Sequence, residues 1–115
     1  MTSGDVLQVA VAAHPTRRGV VQVRVAGELD AAACPQLRAA LAAAAAADPS
    51  LLELDLGGVT FCSGTAVAEL CAAERRLAIV GGGVVVAAAS RPVRRLLDLL
   101  GLGRLLHPGS ARPAV

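Results

Sequence analysis

Two hydroxyl side chains, Ser63 and Thr65, flank Gly64 at a point where the chain changes from one pattern to another. Residues 51–56, LLELDL, predict a buried strand, GGVTFCSGT predicts a bend, and AVAELCAAERRLAIV predicts a helix ending at Val80. Free N–H groups and the helix dipole at a helix start favour an anion, so phosphate on either hydroxyl would be stabilised there. The simpler role is capping, in which Ser63 accepts a hydrogen bond from the first helical turn and contributes about 1 kcal/mol. The chemistry alone favours capping.

The cysteines and histidines suggest no metal site. Cys34, Cys62 and Cys71 form an odd set without a CxxC spacing, which predicts neither a disulfide framework nor a zinc site and fits reduced thiols. His14 and His107 each lie beside a proline, far from clustered Cys, Asp or Glu, and are interpreted as loop residues. We expect no metal and no cofactor.

Cys62 is the candidate nucleophile for an enzyme, because reactive cysteines often lie at a strand-to-helix bend. A phosphatase loop of the C-x5-R type would need an arginine at position 68, which is Ala68. No nearby Arg or His is placed by the sequence to lower the pKa of the thiol. Cys62 is therefore interpreted as a small core residue, and we expect a protein that is not an enzyme.

The composition predicts one globular domain that stays in the cytoplasm. The 115 residues are 55% hydrophobic with a net charge of +2, and a chain of this length buries roughly two thirds of its unfolded surface. No apolar run reaches the roughly 18 to 20 residues that cross a bilayer, and Asp5 but no basic leader precedes the first apolar stretch. A single aromatic residue, Phe61, and scattered arginines argue against nucleic-acid binding.

The strand patterns predict a mixed sheet. Alternating apolar residues predict half-buried strands at residues 6–11 and 20–26, and the turn residues of HPTRRG suit an antiparallel connection between them. The strand at residues 51–56 follows a helical crossover and is expected to lie parallel to the second strand. The polar residues that alternate with apolar ones in the first two strands would face solvent, which argues against a sheet covered by helices on both sides.

The helices are predicted from their inward apolar stripes. Pro35 fits the first turn of the first helix, and Asp48-Pro49 ends it. Gly81-Gly82-Gly83 follows a helix and precedes a strand at residues 84–89, the reverse of a phosphate loop, and predicts a C-cap and turn. The predicted inward positions are Leu37, Ala40, Leu41 and Ala44 in the first helix, Ala66, Leu70, Ala73, Leu77 and Val80 in the second, and Val93, Leu96, Leu97 and Leu100 in the third.

The C-terminal part predicts one more short helix and a tail. Ser90 is expected to cap this helix and Gly101 to end it, with residues 105–106 adding a short strand or packing segment. HPGSARPAV offers little to bury and is interpreted as frayed. The predicted division is a domain at residues 1–107 and a flexible tail at 108–115.

Three segments together resemble the STAS domain, the fold of bacterial anti-sigma factor antagonists. GELDAAACPQLRAAL is similar to the family's GELD strand end and first helix, LELDLGGVTFCSGTAVAEL to its central strand and switch loop, and GGGVVVAAASRPVRRLLDLLGL to its last strand and helix. The resemblance covers nearly the whole chain. It implies an α/β fold with a mixed sheet of four or five strands flanked by about four helices. Partner binding is then expected at the switch loop and the start of the next helix.

The resemblance also implies a function in transcription regulation by partner switching. The expected partner is an anti-sigma factor with an ATPase-type fold that acts as a serine-protein kinase, and its sequestration frees a sigma factor. The alternative function for a protein of this fold is that of an accessory subunit in a lipid or anion transport complex. Neither nucleic-acid binding nor membrane insertion is expected, and the edge strand with Gln8 offers a surface where a partner or a second copy could add.

The switch loop departs from the family pattern at the phospho-acceptor. Family loops read Asp-Ser-Ser-Gly or Asp-Ser-Thr-Gly after an aromatic-apolar pair, and the first Ser accepts phosphate from the partner kinase. Aligned without a gap on Phe61-Cys62, the four positions hold Ser63, Gly64, Thr65 and Ala66. Two interpretations stay open: a constitutively binding antagonist, which we favour, or one in which Ser63 or Thr65 has become the acceptor.

The predicted partner-binding face joins this loop to the end of the second strand. Glu28 and Asp30 leave the carboxyl end of that strand, next to the carboxyl end of the strand that precedes the loop. Both segments should therefore meet at one edge of the sheet. The residues predicted for this face are Glu28, Asp30, Cys62, Ser63, Gly64, Thr65 and Ala66.

Overall fold

The computed structural model describes residues 7–106. Its strands are β1 (Gln8–Ala13), β2 (Val20–Leu29), β3 (Leu51–Cys62) and β4 (Gly83–Ala89); its helices are α1 (Cys34–Ala45), α2 (Gly64–Ile79) and α3 (Arg91–Leu99), with short 3₁₀ helices at Ala31–Ala33 and Gly103–Leu106. The strands form one sheet in the order β1-β2-β3-β4, with β1 antiparallel to β2 and the other pairs parallel. The predicted mixed α/β fold is confirmed, with four strands and, in the described part, three α-helices and two 3₁₀ helices where about four helices were expected.

The sheet buries one face. Alternate residues of β2, β3 and β4 join a single apolar cluster, which also contains the buried side chains of all three helices. On the opposite face, Gln22 Nε2 donates to Glu53 Oε1 at 3.1 Å and Arg24 Nε donates to Asp55 Oδ2 at 3.3 Å, while Val20 and Val85 on that face are buried. Within residues 7–106, all three α-helices contribute to the cluster on one face, in agreement with the prediction that helices do not cover both faces.

The expected bend after residue 56 is wrong, because β3 continues to Cys62. Pairing with β2 persists beyond the two glycines through register shifts, with Glu28 opposite Phe61 and Leu29 opposite Cys62. A Cβ on Gly58 would lie 2.9 Å from the Ala26 Cβ, so only a glycine permits this close approach without a shift. Gly57 and Gly58, which in the sequence resemble a turn, therefore lie inside a continuous strand whose register with β2 is irregular.

The predicted inward positions of the helices are mostly buried. The exceptions are Val80 and Leu100, which are 68% and 50% exposed. Each follows the last residue of its helix, so the helical spacing no longer directs its side chain inward. Ala40 and Leu96 are half-buried, and Val67, which was not predicted, is buried.

The C-terminal ends of α2 and α3 lie where the glycines predicted them, but Ser90 does not cap the start of α3 as predicted. Gly81 and Gly101 adopt left-handed φ angles of 84° and 71° at the ends of α2 and α3, which confirms both predicted ends. Ser90 occupies the N-cap position of α3, yet its side chain makes no cap hydrogen bond, and its buried Oγ has no hydrogen-bond partner among the described residues. The predicted capping contact is wrong. Leu105 is buried in a 3₁₀ helix and forms the expected packing segment.

Several predictions extend past the described residues. The domain boundary at residue 107 and the tail at 108–115 lie outside them, as do His107 and the first residue of the first predicted strand. His14 lies inside, and its Nδ1 accepts hydrogen bonds from the backbone N–H groups of Thr16 and Arg17 at 3.1 and 2.9 Å. It therefore holds the turn between β1 and β2, in agreement with its interpretation as a loop residue.

Candidate partner-binding site

Ser63 is the single residue between β3 and α2, and it caps the helix. Its backbone is extended, and its Oγ accepts a hydrogen bond from Ala66 N at 3.2 Å. Its own backbone N–H donates to Leu29 O at 2.9 Å, which fixes the loop to the end of β2. The capping interpretation of Ser63 is confirmed.

Gly64 and Thr65 form the exposed first turn of α2. Thr65 Oγ1 lies 2.8 Å from Ser63 Oγ, so the two hydroxyls of the loop are hydrogen-bonded to each other. A Cβ built on Gly64 meets nothing within 4 Å. Position 64, which was expected from the resemblance to correspond to the phospho-acceptor, is therefore open to solvent and has room for a side chain, although Gly64 carries no hydroxyl.

Asp30 lies beside this turn because Cys34 connects the two segments. The Cys34 thiol lies 3.5 Å from the backbone O of Asp30 and 3.7 Å from Thr65 Oγ1, both within reach of a weak S–H hydrogen bond. The Asp30 carboxylate is itself engaged locally, since its Oδ1 accepts from Ala33 N at 3.0 Å and caps the first 3₁₀ helix. Glu28 is half-buried and pairs with Phe61 across the β2–β3 ladder. The structure thus places Glu28, Asp30 and the loop side by side.

Two predicted site residues are less available than the others. Ala66 is fully buried, so it contributes its backbone N–H to the Ser63 cap rather than a surface contact. Cys62 is half-buried and packs against the apolar core, as its interpretation as a core residue expected. Burial, with a smaller contribution from Cys34, raises the pKa of the Cys62 thiol to about 11. A thiol with such a pKa is protonated near neutral pH and is a poor nucleophile.

Two open grooves border the loop, and the sequence patterns did not predict them. One lies between the end of β3 and α3 and is lined mainly by Phe61, Arg91, Arg95, Leu96 and Leu99. The other lies on the far side of the loop and is lined by Gly64, Val67, Ala68, Cys71, Arg75, Leu100 and Leu102. One feature of the sequence could have indicated the first groove: Leu99 is apolar, yet it lies outside the helical spacing of the α3 residues that were predicted to face the core.

Neither a metal site nor a membrane-spanning helix is present in the part of the chain that the structure describes. Within residues 7–106 no three His, Cys, Asp or Glu side chains are grouped so that they could hold a metal ion. No helix there combines the length and apolar character that crossing a membrane requires.

A family model described as "Mlab, STAS domain" matches residues 12–107. The chain belongs to the STAS domain family. Among solved structures, an anti-sigma factor antagonist from Mycobacterium paratuberculosis is 31% identical with a TM-score of 0.76, and the match covers 89% of this chain and 84% of that one. No curated protein matches the chain in sequence comparison.

SpoIIAA is similar to this STAS domain in two forms. The unphosphorylated anti-sigma factor antagonist SpoIIAA is 26% identical, with a TM-score of 0.68 and coverage of 82% of this chain and 83% of that one. The phosphorylated Bacillus cell fate determinant SpoIIAA is 25% identical, with a TM-score of 0.62 and coverage of 82% and 86%. These similarities confirm the STAS resemblance and the α/β fold that it implied.

Proposed function

We propose that this STAS domain is an anti-sigma factor antagonist that acts by binding an anti-sigma factor of ATPase-type fold, without catalysis of its own. The observation that carries the proposal is the 31% identity, over 89% of this chain, to an anti-sigma factor antagonist. The high pKa of the Cys62 thiol, the best candidate nucleophile, agrees with a binding role.

The geometry supports a binding face at the carboxyl edge of the sheet. Asp30 and Thr65 come from different segments, yet both approach the Cys34 thiol. Gly64 and Thr65 are exposed, and Asp30 is partly exposed. The proposed face consists of these residues with Glu28, Cys62 and Ser63, and with Ala66 supporting them from below.

We infer further that binding is constitutive. The acceptor position holds Gly64, which has no oxygen to phosphorylate. Ser63 Oγ accepts a hydrogen bond from Ala66 N and lies within hydrogen-bond distance of Thr65 Oγ1, so a phosphate on either hydroxyl would have to replace these contacts. A phosphate adds about −1.5 to −2 charges and can expel a loop from a partner surface. Without an acceptor at position 64, this means of release is absent.

Calorimetric titration against purified ATPase-fold anti-sigma factors tests the proposal. We expect wild-type protein to bind one of them, and Thr65→Arg and Asp30→Arg to weaken that binding because each places a long cation on the face. Asp30→Asn is the matched control for the fold, since Asn caps a helix as well as Asp does. Arg18→Glu, an exposed change in the β1–β2 turn, should leave affinity unchanged.

A second STAS function, as an accessory subunit of a lipid or anion transport complex, is tested by the same preparation. The matching family model is described by the name Mlab and not as an antagonist, so family membership alone does not choose between the two. Binding to a transporter ATPase subunit, with no binding to any anti-sigma factor, would replace the antagonist proposal by this one. Unchanged affinity in folded Asp30→Arg and Thr65→Arg would instead show that the face is wrongly placed.

A further inference from the structure

Apart from Cys62, the residues that line the groove between Phe61 and α3 are not part of the binding face considered so far. We propose that this groove, here called the Phe61 groove, receives an apolar side chain from an acidic segment of the protein partner. The proposal rests on the proposed function, of which it specifies the chemistry of the partner's contact.

The Phe61 groove exposes apolar side chains that a folded protein would normally bury. Phe61 is 50% exposed and Leu99 is 80% exposed, and both line the groove. Its volume is about 340 Å³, and it is widely open to solvent. A small-molecule site usually encloses most of its ligand, and this groove is too open to do so. Exposed apolar walls around a shallow depression instead suit an anchor side chain of another protein.

The charge of the groove is positive and uncompensated. Arg91 and Arg95 lie one turn apart on α3 and both line it, and no Asp or Glu is among the lining residues. Among the described residues, neither arginine takes part in an ion pair or a side-chain hydrogen bond. Four other arginines each pair with a carboxylate: Arg17 with Glu53, Arg24 with Asp55, Arg38 with Glu69 and Arg104 with Glu74. Arg18, Arg75, Arg76 and Arg94 form no ion pair among the described residues either, so what distinguishes Arg91 and Arg95 is that they lie together beside exposed apolar side chains. The complement of the groove is therefore an apolar residue with carboxylates beside it.

The same chemistry continues across the switch loop. The second groove begins at Gly64, is lined by the exposed Leu100, and contains Arg75 but no carboxylate among its lining residues. Cys62 and Gly64 lie on opposite sides of Ser63 and line one groove each. A partner that contacts the loop thus meets arginines and apolar side chains on both sides, which makes an acidic segment the fitting occupant.

A membrane of anionic lipids also attracts arginines beside exposed leucines. The Phe61 groove is concave, however, and its walls are formed by two different elements, β3 and α3. A planar surface would touch the exposed side chains of Phe61 and Leu99 but not the half-buried Leu96, whereas an inserted side chain could contact all three. We therefore commit to a protein segment and treat lipid binding as an outcome that overturns the proposal.

A defined peptide probes the groove directly. The probe is a synthetic helix-forming peptide with leucines at i, i+4 spacing and glutamates around them, titrated into the ¹⁵N-labelled full chain. We expect it to shift the backbone amide signals of Phe61, Leu96 and Leu99 in a saturable way. The same peptide with lysines in place of glutamates should not. Equal shifts with the lysine peptide, or no shift at the groove with the acidic one, would overturn the proposal.

Matched variants separate the groove from general surface hydrophobicity. Leu99→Asp should weaken binding of the acidic peptide about 30-fold, as the loss of an anchor contact does, and Arg95→Glu about tenfold. Ile79→Asp is the control, because Ile79 is 84% exposed and likewise ends a helix, α2, but lines neither groove. Sedimentation of wild-type protein, but not Leu99→Asp, with phosphatidylserine vesicles would replace the protein segment by a membrane.

The same variants, titrated against the anti-sigma factor that binds wild-type protein, distinguish this proposal from the proposed function. A loss of affinity in Leu99→Asp and Arg95→Glu, with Ile79→Asp unchanged, supports both. Equal binding of all three variants overturns the groove and leaves the antagonist function standing. If no anti-sigma factor binds but the acidic peptide binds and Leu99→Asp abolishes it, the proposed function fails and the groove remains a docking site.

Discussion

Ser63 Oγ and Thr65 Oγ1 lie 2.8 Å apart, and the same Ser63 oxygen accepts a hydrogen bond from Ala66 N at 3.2 Å. Both hydroxyls between β3 and the first turn of α2 therefore take part in hydrogen bonds at the start of that helix. The Cys34 thiol, 3.7 Å from Thr65 Oγ1, extends this network to the end of β2. The loop is held by side-chain contacts that a phosphate on either hydroxyl would have to replace.

Removal of the Ser63 hydroxyl should destabilise the fold. We expect Ser63→Ala to lower the free energy of unfolding by about 1 kcal/mol, because Ala66 N loses its cap. Thr65→Val should lower the unfolding free energy by less. The double variant should lose less stability than the two single variants added together, because each single change already removes the hydrogen bond between the two hydroxyls. Urea unfolding measures all three. Ser63→Asp is the matched control, as aspartate is an equally good N-cap; an unfolding free energy unchanged in Ser63→Ala would contradict the capping role.

The Cys62 thiol should react slowly near neutral pH. Its pKa is raised to about 11, chiefly by burial, so little thiolate is present at pH 7 to 8. We expect its alkylation by iodoacetamide, followed by peptide mass mapping, to accelerate as the pH rises towards 11. Cys62→Ala removes this signal and isolates the other thiols. Rapid labelling of Cys62 at neutral pH would contradict the assignment.

The same raised pKa makes stability depend on alkaline pH. The folded state disfavours the thiolate, so the contribution of Cys62 is complete below the ordinary thiol pKa of 9.0 and is lost as the pH rises towards about 11. Cys62→Ala should reduce the loss of stability between these two values. An identical alkaline profile in wild type and variant would show that this thiol does not contribute.

Gly58 should tolerate a methyl group poorly, and Gly64 should tolerate it well. A Cβ at Gly58 would lie 2.9 Å from the Ala26 Cβ, whereas one at Gly64 meets nothing within 4 Å. We expect Gly58→Ala to lower the unfolding free energy by about 1–3 kcal/mol through overpacking. Gly64→Ala should be neutral or slightly stabilising, because alanine suits a helical position better. Thermal and urea unfolding compare the two, and equal stabilities would contradict the tight register of β2 and β3.

Gly58 also marks the limit of what the sequence could predict about the fold. Apolar alternation predicted the strand at residues 20–26, the apolar run LLELDL predicted a buried strand at 51–56, and helical spacing predicted α1 and α2, because such patterns follow from which side chains face the core. Whether Gly57-Gly58 bends the chain or continues the strand depends on pairing with β2, a contact between distant residues. The local sequence pattern does not determine that pairing, so the strand was predicted six residues too short.

The candidate site was predicted in part for a similar reason. Asp30 and Thr65 were expected to lie together because parallel strands end at one edge, and the Cys34 bridge shows that they do. The groove between Phe61 and Leu99 was not expected, because it is formed by residues of two elements that are far apart in sequence, β3 and α3. How two such elements pack against each other depends on tertiary contacts, which the apolar spacing of a single helix does not determine.

Gly64 leads to the prediction that decides how the protein is regulated. Incubated with a cognate anti-sigma kinase and ATP, the wild-type protein should remain unmodified, because the acceptor position has no oxygen. Gly64→Ser should be phosphorylated, since a side chain there has open space and the N–H groups at the start of α2 favour a phosphate. Intact-mass measurement and peptide mapping follow the reaction, with Gly64→Ala as the matched control.

The restored site depends on its neighbours as well as on the new hydroxyl. In-line phosphoryl transfer requires accurate positioning, and the family has aspartate where this chain has Ser63. The double change Ser63→Asp, Gly64→Ser keeps the cap of α2 and should accept phosphate at least as well as Gly64→Ser alone. Phosphorylated double variant should also lose affinity for the anti-sigma factor, whereas wild-type affinity should not respond to ATP. Stoichiometric phosphate on Ser63 or Thr65 of the wild type would overturn constitutive binding and make the protein a switch with a displaced acceptor.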